Sequence, residues 1–239
     1  MLGYEQMIPA DELKAIILNT CRQSEITEGY IRLNVTRGTG LGLDPKNIDR
    51  KPNVMVMVST LALYPPEAYD RGLDVVSTSY RVIQADSLDP RLKCIGRYAS
   101  NILAKQEANR RGAGEGLMLN HQGHVAECTG DNIFIIRNGK IETPHPSAGI
   151  LQGITRDTVI MLARNAGIEV IETTLTPFDL YTADEAFLTG TAAEVIPMVS
   201  LDDRPIGDGK PGAITNKVIA LFREHTKIGT PIFEAATTK

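Results

Sequence analysis

A lysine set among apolar residues has lost part of its water, and with it part of its basicity. Lys93 has that setting in Leu92-Lys93-Cys94-Ile95-Gly96-Arg97-Tyr98, and a desolvated amine of this kind serves as a nucleophile or forms a Schiff base. Taken alone it is also what an ordinary solvated lysine looks like. Tyr98 follows five residues on, and Glu127 stands near the end of His124-Val125-Ala126-Glu127-Cys128, before a Thr129-Gly130 turn. A carboxylate there points either into a site or, like most strand-end glutamates, into water. Two small-residue stretches offer backbone N–H groups. Gly153-Ile154-Thr155 stands where a helix begins, suited to a phosphate or to plain N-capping, and Gly190-Thr191-Ala192-Ala193 lies between two strands.

The elements that must position these groups follow from periodicity. Residues 10 to 23 predict an amphipathic helix, with Leu13, Ile16, Ile17 and Cys21 on one face, Pro9 before its first turn, and Asp11 and Glu12 favouring its dipole. Strands are expected at Tyr30 to Thr36, with Tyr30, Arg32, Asn34 and Thr36 on one face, and at Asn53 to Ser59 and Leu73 to Ser79. Pro65-Pro66 and Arg71-Gly72 mark a connection between the latter two. The polar stretch 84–90 is expected to link a first lobe, 1–83, to a larger second lobe, 91–239. There the pattern predicts a helix from Tyr98 to Arg111 closed by Gly112, and hairpins pairing 116–120 with 124–128 and, through the Asn138-Gly139 turn, 132–137 with 140–143. A helix follows Thr155, strands are expected at 186–188 and 195–201, and a terminal helix at Ala213 to Glu224. The Gly38-Thr39-Gly40-Leu41-Gly42 loop precedes no helix and lacks a P-loop lysine, so it is a poor phosphate loop.

Composition narrows the function. With 239 residues, 42% of them hydrophobic, the chain can bury a sizeable core. A net charge of −4 and no basic run argue against nucleic acid as a partner. The first residues resemble no secretory signal, and the apolar stretch from Val54 to Tyr64 is too short to span a bilayer, so a soluble, cytoplasmic protein is expected, with no membrane partner. Cys21, Cys94 and Cys128 suit reduced thiols, and His121 and His124 flank a Gly123 turn as solvated residues; no metal site is expected.

The succession Lys93-x4-Tyr98-x4-Leu103-Ala104-Lys105, then Glu127-Cys-Thr-Gly-Asp-Asn-Ile-Phe134, Leu151-Gln-Gly-Ile-Thr-Arg156 and Leu188-Thr-Gly-Thr-Ala-Ala-Glu194 resembles the class IV aminotransferases, fold-type IV enzymes that use pyridoxal 5′-phosphate (PLP). Within them it is most similar to branched-chain amino acid aminotransferases. The resemblance implies an α+β, two-lobe architecture with mixed and antiparallel sheets. It implies transamination between leucine, isoleucine or valine and 2-oxoglutarate, with a D-amino acid aminotransferase or an aminodeoxychorismate lyase as alternatives on the same fold. It also implies a homodimer. Lys93 would hold the cofactor covalently and move the proton between substrate Cα and cofactor C4′. Tyr98 would meet the cofactor's phenolic oxygen, and Glu127 its ring nitrogen. Leu151, Gly153, Ile154, Thr155 and Thr191 would complete cofactor binding, chiefly at the phosphate. Tyr30, Arg32, Ala192 and Ala193 would bind substrate, Arg32 through its planar fork.

The chain departs from the family pattern at its start. Several dozen family residues, including an arginine for the cofactor phosphate, precede the helix that here begins at residue 10, and no arginine present takes that place. The first lobe is therefore expected to be incomplete, the chain being a truncated or wrongly started frame in preference to a natural short form, with weakened cofactor retention and poor solubility, and with a catalytically impaired chain as a further alternative.

Overall fold

The computed structural model describes residues 3, 8–49 and 51–233. The opening residues on which the expectation of an incomplete first lobe bears, 1, 2 and 4–7, lie outside them. The chain divides into two compact units, 1–62 with 229–239, and 63–228.

In the first unit, helix α1 (Ala10–Ser24) starts from Pro9 and ends where Glu25 turns into the left-handed region at φ 58°. It packs on strand β2 (Val54–Ser59), which pairs antiparallel with β1 (Tyr30–Val35), Arg32 opposite Met57. Along β2, Val54, Val56 and Val58 are half-buried while Met55 and Met57 are exposed, the two-residue alternation of a strand with one covered face.

The second unit is built, among the described residues, on a nine-stranded mixed sheet in the order β5-β4-β3-β10-β9-β6-β7-β8, with β11 added to β10. In chain order it runs α2 (Pro66–Arg71), β3 (Leu73–Arg81), α3 (Ala99–Arg110), β4 (Glu115–Leu119), β5 (Val125–Cys128), β6 (Asn132–Arg137), β7 (Lys140–Pro144), α4 (Ile154–Asn165), β8 (Val170–Thr173), α5 (Pro177–Tyr181), β9 (Glu185–Gly190), β10 (Glu194–Leu201), β11 (Arg204–Pro205) and α6 (Ala213–His225). The expected hairpins form, the second through Asn138 and Gly139 at φ 51° and 77°, the twin positive values a tight hairpin turn requires.

Several expectations need correction. Strand β3 lies parallel between β4 and β10, so it belongs to the large sheet and not to the first unit. The segment 84–90 is thus an irregular connection inside the second unit, and the division falls between 62 and 63. Pro65-Pro66 opens a short helix, because proline at the first helical position gives up an N–H that has no intrahelical partner anyway. Residues 95–98 form a 3₁₀ turn that leads into α3. Strand β8 and helix α5 were not foreseen, being too short to show a period.

Helices α4 and α6 cover one face of the sheet, bringing Val159 and Val218 onto Phe134, Ile136, Ile141 and Phe187. Phe134 and Phe187 stack with ring centroids 4.7 Å apart, joining β6 to β9, the strands whose ends frame the site described next. Phe187→Ala is expected to cost roughly 3–5 kcal/mol, read as the change in unfolding free energy in urea.

Candidate active site

The turn at 95–98 places Lys93 and Tyr98 side by side: Lys93 Nζ donates to the Tyr98 hydroxyl at 2.9 Å. Lys93 itself is exposed. The partial desolvation expected from its neighbours is absent, since Ile95 beside it turns outward, 78% exposed. Between these residues Arg97 turns inward, 2% exposed, and its Nη2 pairs with Glu127 Oε1. Its guanidinium carbon and the lysine nitrogen lie 5.6 and 5.1 Å from the centroid of the Tyr98 ring.

Glu127 is buried on β5, so of its two readings the inward one holds. Its Oε2 accepts from Leu151 N at 2.8 Å and from Asn132 Nδ2 at 3.4 Å. Burial pushes its pKa up to about 7 even though Arg97 and the Leu151 N–H pull the other way.

The turn after β5 ties the remaining parts together. Asn132 Nδ2 also donates to Leu151 O at 2.8 Å, and its Oδ1 lies 2.3 Å from where a Cβ on Gly153 would sit. Gly153 is the N-cap of α4 and gives it no side-chain cap, so the first N–H groups of that helix are left for another acceptor. Thr155 is buried in its first turn and Ile154 is 84% exposed. Asp131 Oδ1 stands 2.1 Å from a Cβ position on Gly190. The carboxylate therefore occupies the space a side chain would need, at the start of the turn that carries Thr191, Ala192 and Ala193. Lys93, Tyr98, Glu127, Leu151, Gly153, Ile154, Thr155 and this turn are thus linked through Arg97, Asp131 and Asn132. Tyr30 and Arg32 belong to the first unit, where Arg32 Nε reaches Asn34 Oδ1 at 3.5 Å.

Beneath this frame lies a second buried polar group. The Tyr64 hydroxyl donates to Asp131 Oδ2 at 2.9 Å and to Glu115 Oε2 at 3.3 Å; Thr129 Oγ1 donates to Glu115 Oε1, and Lys105 Nζ is 3.4 Å from the same oxygen. Burial and then the Glu115 charge push Asp131 up to about 7; burial, then Asp131 and Glu115, push the Tyr64 phenol up. The three cysteines are free, and burial pushes the Cys128 thiol well up. Among the described residues no group of three or more His, Cys, Asp or Glu could hold a metal, and no helix is long and apolar enough to cross a membrane.

The family model for class IV amino-transferases matches residues 1–201. The chain belongs to the class IV aminotransferases. A Methanocaldococcus jannaschii protein, itself only provisionally named a branched-chain-amino-acid aminotransferase, is 42% identical over 226 residues, 94% of this chain and 77% of that protein. The crystal structure of the Escherichia coli branched-chain amino acid aminotransferase superposes with a TM-score of 0.86 at 32% identity, covering 90% of this chain and 71% of that one. The branched-chain amino acid aminotransferase from Thermobaculum terrenum, in its PLP-bound holo form, gives 0.82 at 33% identity, covering 92% and 72%. The fold is that of fold-type IV aminotransferases, a PLP-dependent family.

The class IV site fits such a cofactor by its donors and acceptors. A carboxylate has about four acceptor positions; Arg97, Leu151 and Asn132 use three on Glu127, leaving one on Oε1 for a ring N–H. The uncapped start of α4 suits a phosphate ester, and Lys93 beside Tyr98 suits an aldehyde flanked by a phenolic oxygen. Sequence reading passed over Arg97, Asp131, Asn132, Glu115 and Tyr64. Arg97 lay within the stretch already singled out, and its one visible signal was a charge in an apolar run that leads into a helix.

A raised carboxyl sets a pH dependence of stability. The ordinary value of Asp131 is 3.8, and burial beside Glu115 raises it to about 7 on folding. Between these limits the unfolded chain ionises it and the folded one does not, so stability declines as pH rises, by up to about 1.4 kcal/mol per pH unit, and levels off above. Urea unfolding at stepped pH is expected to show this decline, and Asp131→Asn to remove a large part of it.

Proposed function

We propose that this chain exchanges amino groups between branched-chain L-amino acids and 2-oxoglutarate with PLP as its cofactor. The observation that carries the reading is the Lys93 amine hydrogen-bonded to Tyr98, one side chain away from a buried Glu127, in a chain similar to proteins named for that activity over most of its length. The cofactor supplies a ring that accepts the electron pair left when substrate Cα loses its proton.

In this reading Lys93 would hold the cofactor through Nζ and, once freed by the substrate amine, would carry the proton between substrate Cα and cofactor C4′. Its exposure leaves room for the amine to swing between the two positions. The Tyr98 hydroxyl orients that amine and then the cofactor's phenolic oxygen. Glu127 would accept the ring N–H on its open lone pair, and Leu151, whose N–H donates to Glu127, positions the carboxylate. Gly153, Ile154 and Thr155 at the start of α4, with Thr191, hold the phosphate through N–H and hydroxyl groups. Ala192 and Ala193 offer backbone N–H groups to the substrate α-carboxylate. The working form is a homodimer; exposed Ile95 in the turn after the lysine and Ile102 and Leu103 on α3 supply apolar surface for such an interface.

Borohydride reduction of the PLP-loaded chain is expected to leave a pyridoxyl group on the tryptic peptide containing Lys93, and none in Lys93→Ala. Coupled assays should then show turnover with L-leucine and 2-oxoglutarate well above that with D-alanine or aminodeoxychorismate; the reverse order would assign the site to one of those substrates instead. Glu127→Gln should retain cofactor yet lower kcat by about 10²-fold or more, the scale of losing one placed electrostatic group. An unchanged kcat would contradict the role given to Glu127.

A further inference from the structure

Arg97 is a guanidinium with 2% exposure, and burying such a charge is costly unless its donors are met. Only Nη2 finds a partner, Glu127 Oε1; among the described residues Nε and Nη1 have none. An arginine whose contribution was packing alone would be a poor choice here, because an apolar side chain of similar volume would leave no donor unmet.

The surroundings of Glu127 show what the charge achieves. Leu151 N–H can only donate. Asn132 Nδ2 is fixed as the amide nitrogen because it also donates to the Leu151 carbonyl, and a guanidinium has no acceptor. Each group that touches the carboxylate is thus an obligate donor, and a proton on Glu127 would have no acceptor among them. The charged groups facing it are Arg97 and Lys93 from the 93–98 segment and Asp131 from the turn after β5. Lys93 is exposed and its field is damped by water; Asp131 is an acid and opposes ionisation. Arg97 is the cation that remains buried with the carboxylate.

We propose that Arg97 is a positioning residue that commits Glu127 to accepting, so that a cofactor ring nitrogen meeting the remaining Oε1 lone pair must itself bring the proton. Without Arg97, Glu127 keeps its two neutral donors and only the exposed, water-damped Lys93 as a facing cation. The carboxyl then holds its own proton and presents a donor to a neutral ring nitrogen, and the ring loses most of its pull on electrons. The guanidinium carbon also lies 5.6 Å from the centroid of the Tyr98 ring, so the same side chain touches both Glu127 and Tyr98. This inference rests on the cofactor reading, but its test does not need cofactor.

The test is carbon NMR of the cofactor-free chain labelled with [δ-¹³C]glutamate, the Glu127 resonance being the one lost in Glu127→Gln. In Arg97→Met the midpoint for Glu127 is expected to rise by about one pH unit or more over the unsubstituted chain, the scale of losing an adjacent opposite charge. Arg97→Lys, which keeps a charge, should bring it part of the way back. An unmoved midpoint in Arg97→Met overturns the proposal, as does an Arg97→Lys midpoint equal to that of Arg97→Met. Should Arg97→Met fail to fold, Arg97→Gln is read in the same way. Failure of borohydride to label Lys93 with the titration shift intact would refute the cofactor reading and leave the Arg97–Glu127 relation standing.

Discussion

The second unit is arranged around one costly interaction, a carboxylate kept in the interior. Burying an ion is unfavourable by several kcal/mol unless donors replace the lost water. Glu127 receives one donor from each of three places in the chain: a guanidinium before α3, a backbone N–H before α4 and an amide at the start of β6. Each of those segments has to be in place for the carboxylate to be tolerated. In return the carboxylate holds those three segments in fixed relation: they carry Lys93 and the start of α4, and through Asp131 they abut the turn at Gly190.

Close packing follows from the same constraint. Asn132 and Asp131 press against Gly153 and Gly190 where no Cβ could fit, so the glycines are dictated by polar side chains that need the room. The Phe134–Phe187 stack and the aliphatic layer under α4 and α6 hold β6 and β9 rigidly enough for these short distances to persist. Below, the Tyr64, Asp131 and Glu115 group keeps a second set of acids out of water, which favours a shared proton and couples stability to pH. The site's precision and its sensitivity to pH have a common origin in buried acids.

Much of this was legible in the sequence wherever a local rule applied. The strand alternation at Val54–Ser59, the Asn138-Gly139 turn and the apolar faces of α1, α4 and α6 all follow from periodicity or turn chemistry, and each formed. The order of strands did not, because parallel pairing of β3 with β4 and β10 depends on contacts far apart in the chain. Its placement in the first lobe failed for that reason. Lys93, Tyr98, Glu127 and the stretches at 153–155 and 190–193 stood out by type and by resemblance. Arg97, Asp131 and Asn132 did not, since a charged or amide side chain reads as a surface residue until the fold supplies its buried partner. Lys93 erred the other way: apolar neighbours in sequence did not become apolar neighbours in space.

The central claim is that Glu127, held by Arg97, Leu151 and Asn132, meets the cofactor as an acceptor and leaves the proton on the ring. Nitrogen NMR of the chain loaded with PLP labelled with ¹⁵N at the ring position measures this directly. The account predicts a pyridinium-type shift that persists several pH units above the value for free cofactor. A neutral-pyridine shift at neutral pH, in a chain whose Lys93 is shown to carry the cofactor, would contradict it.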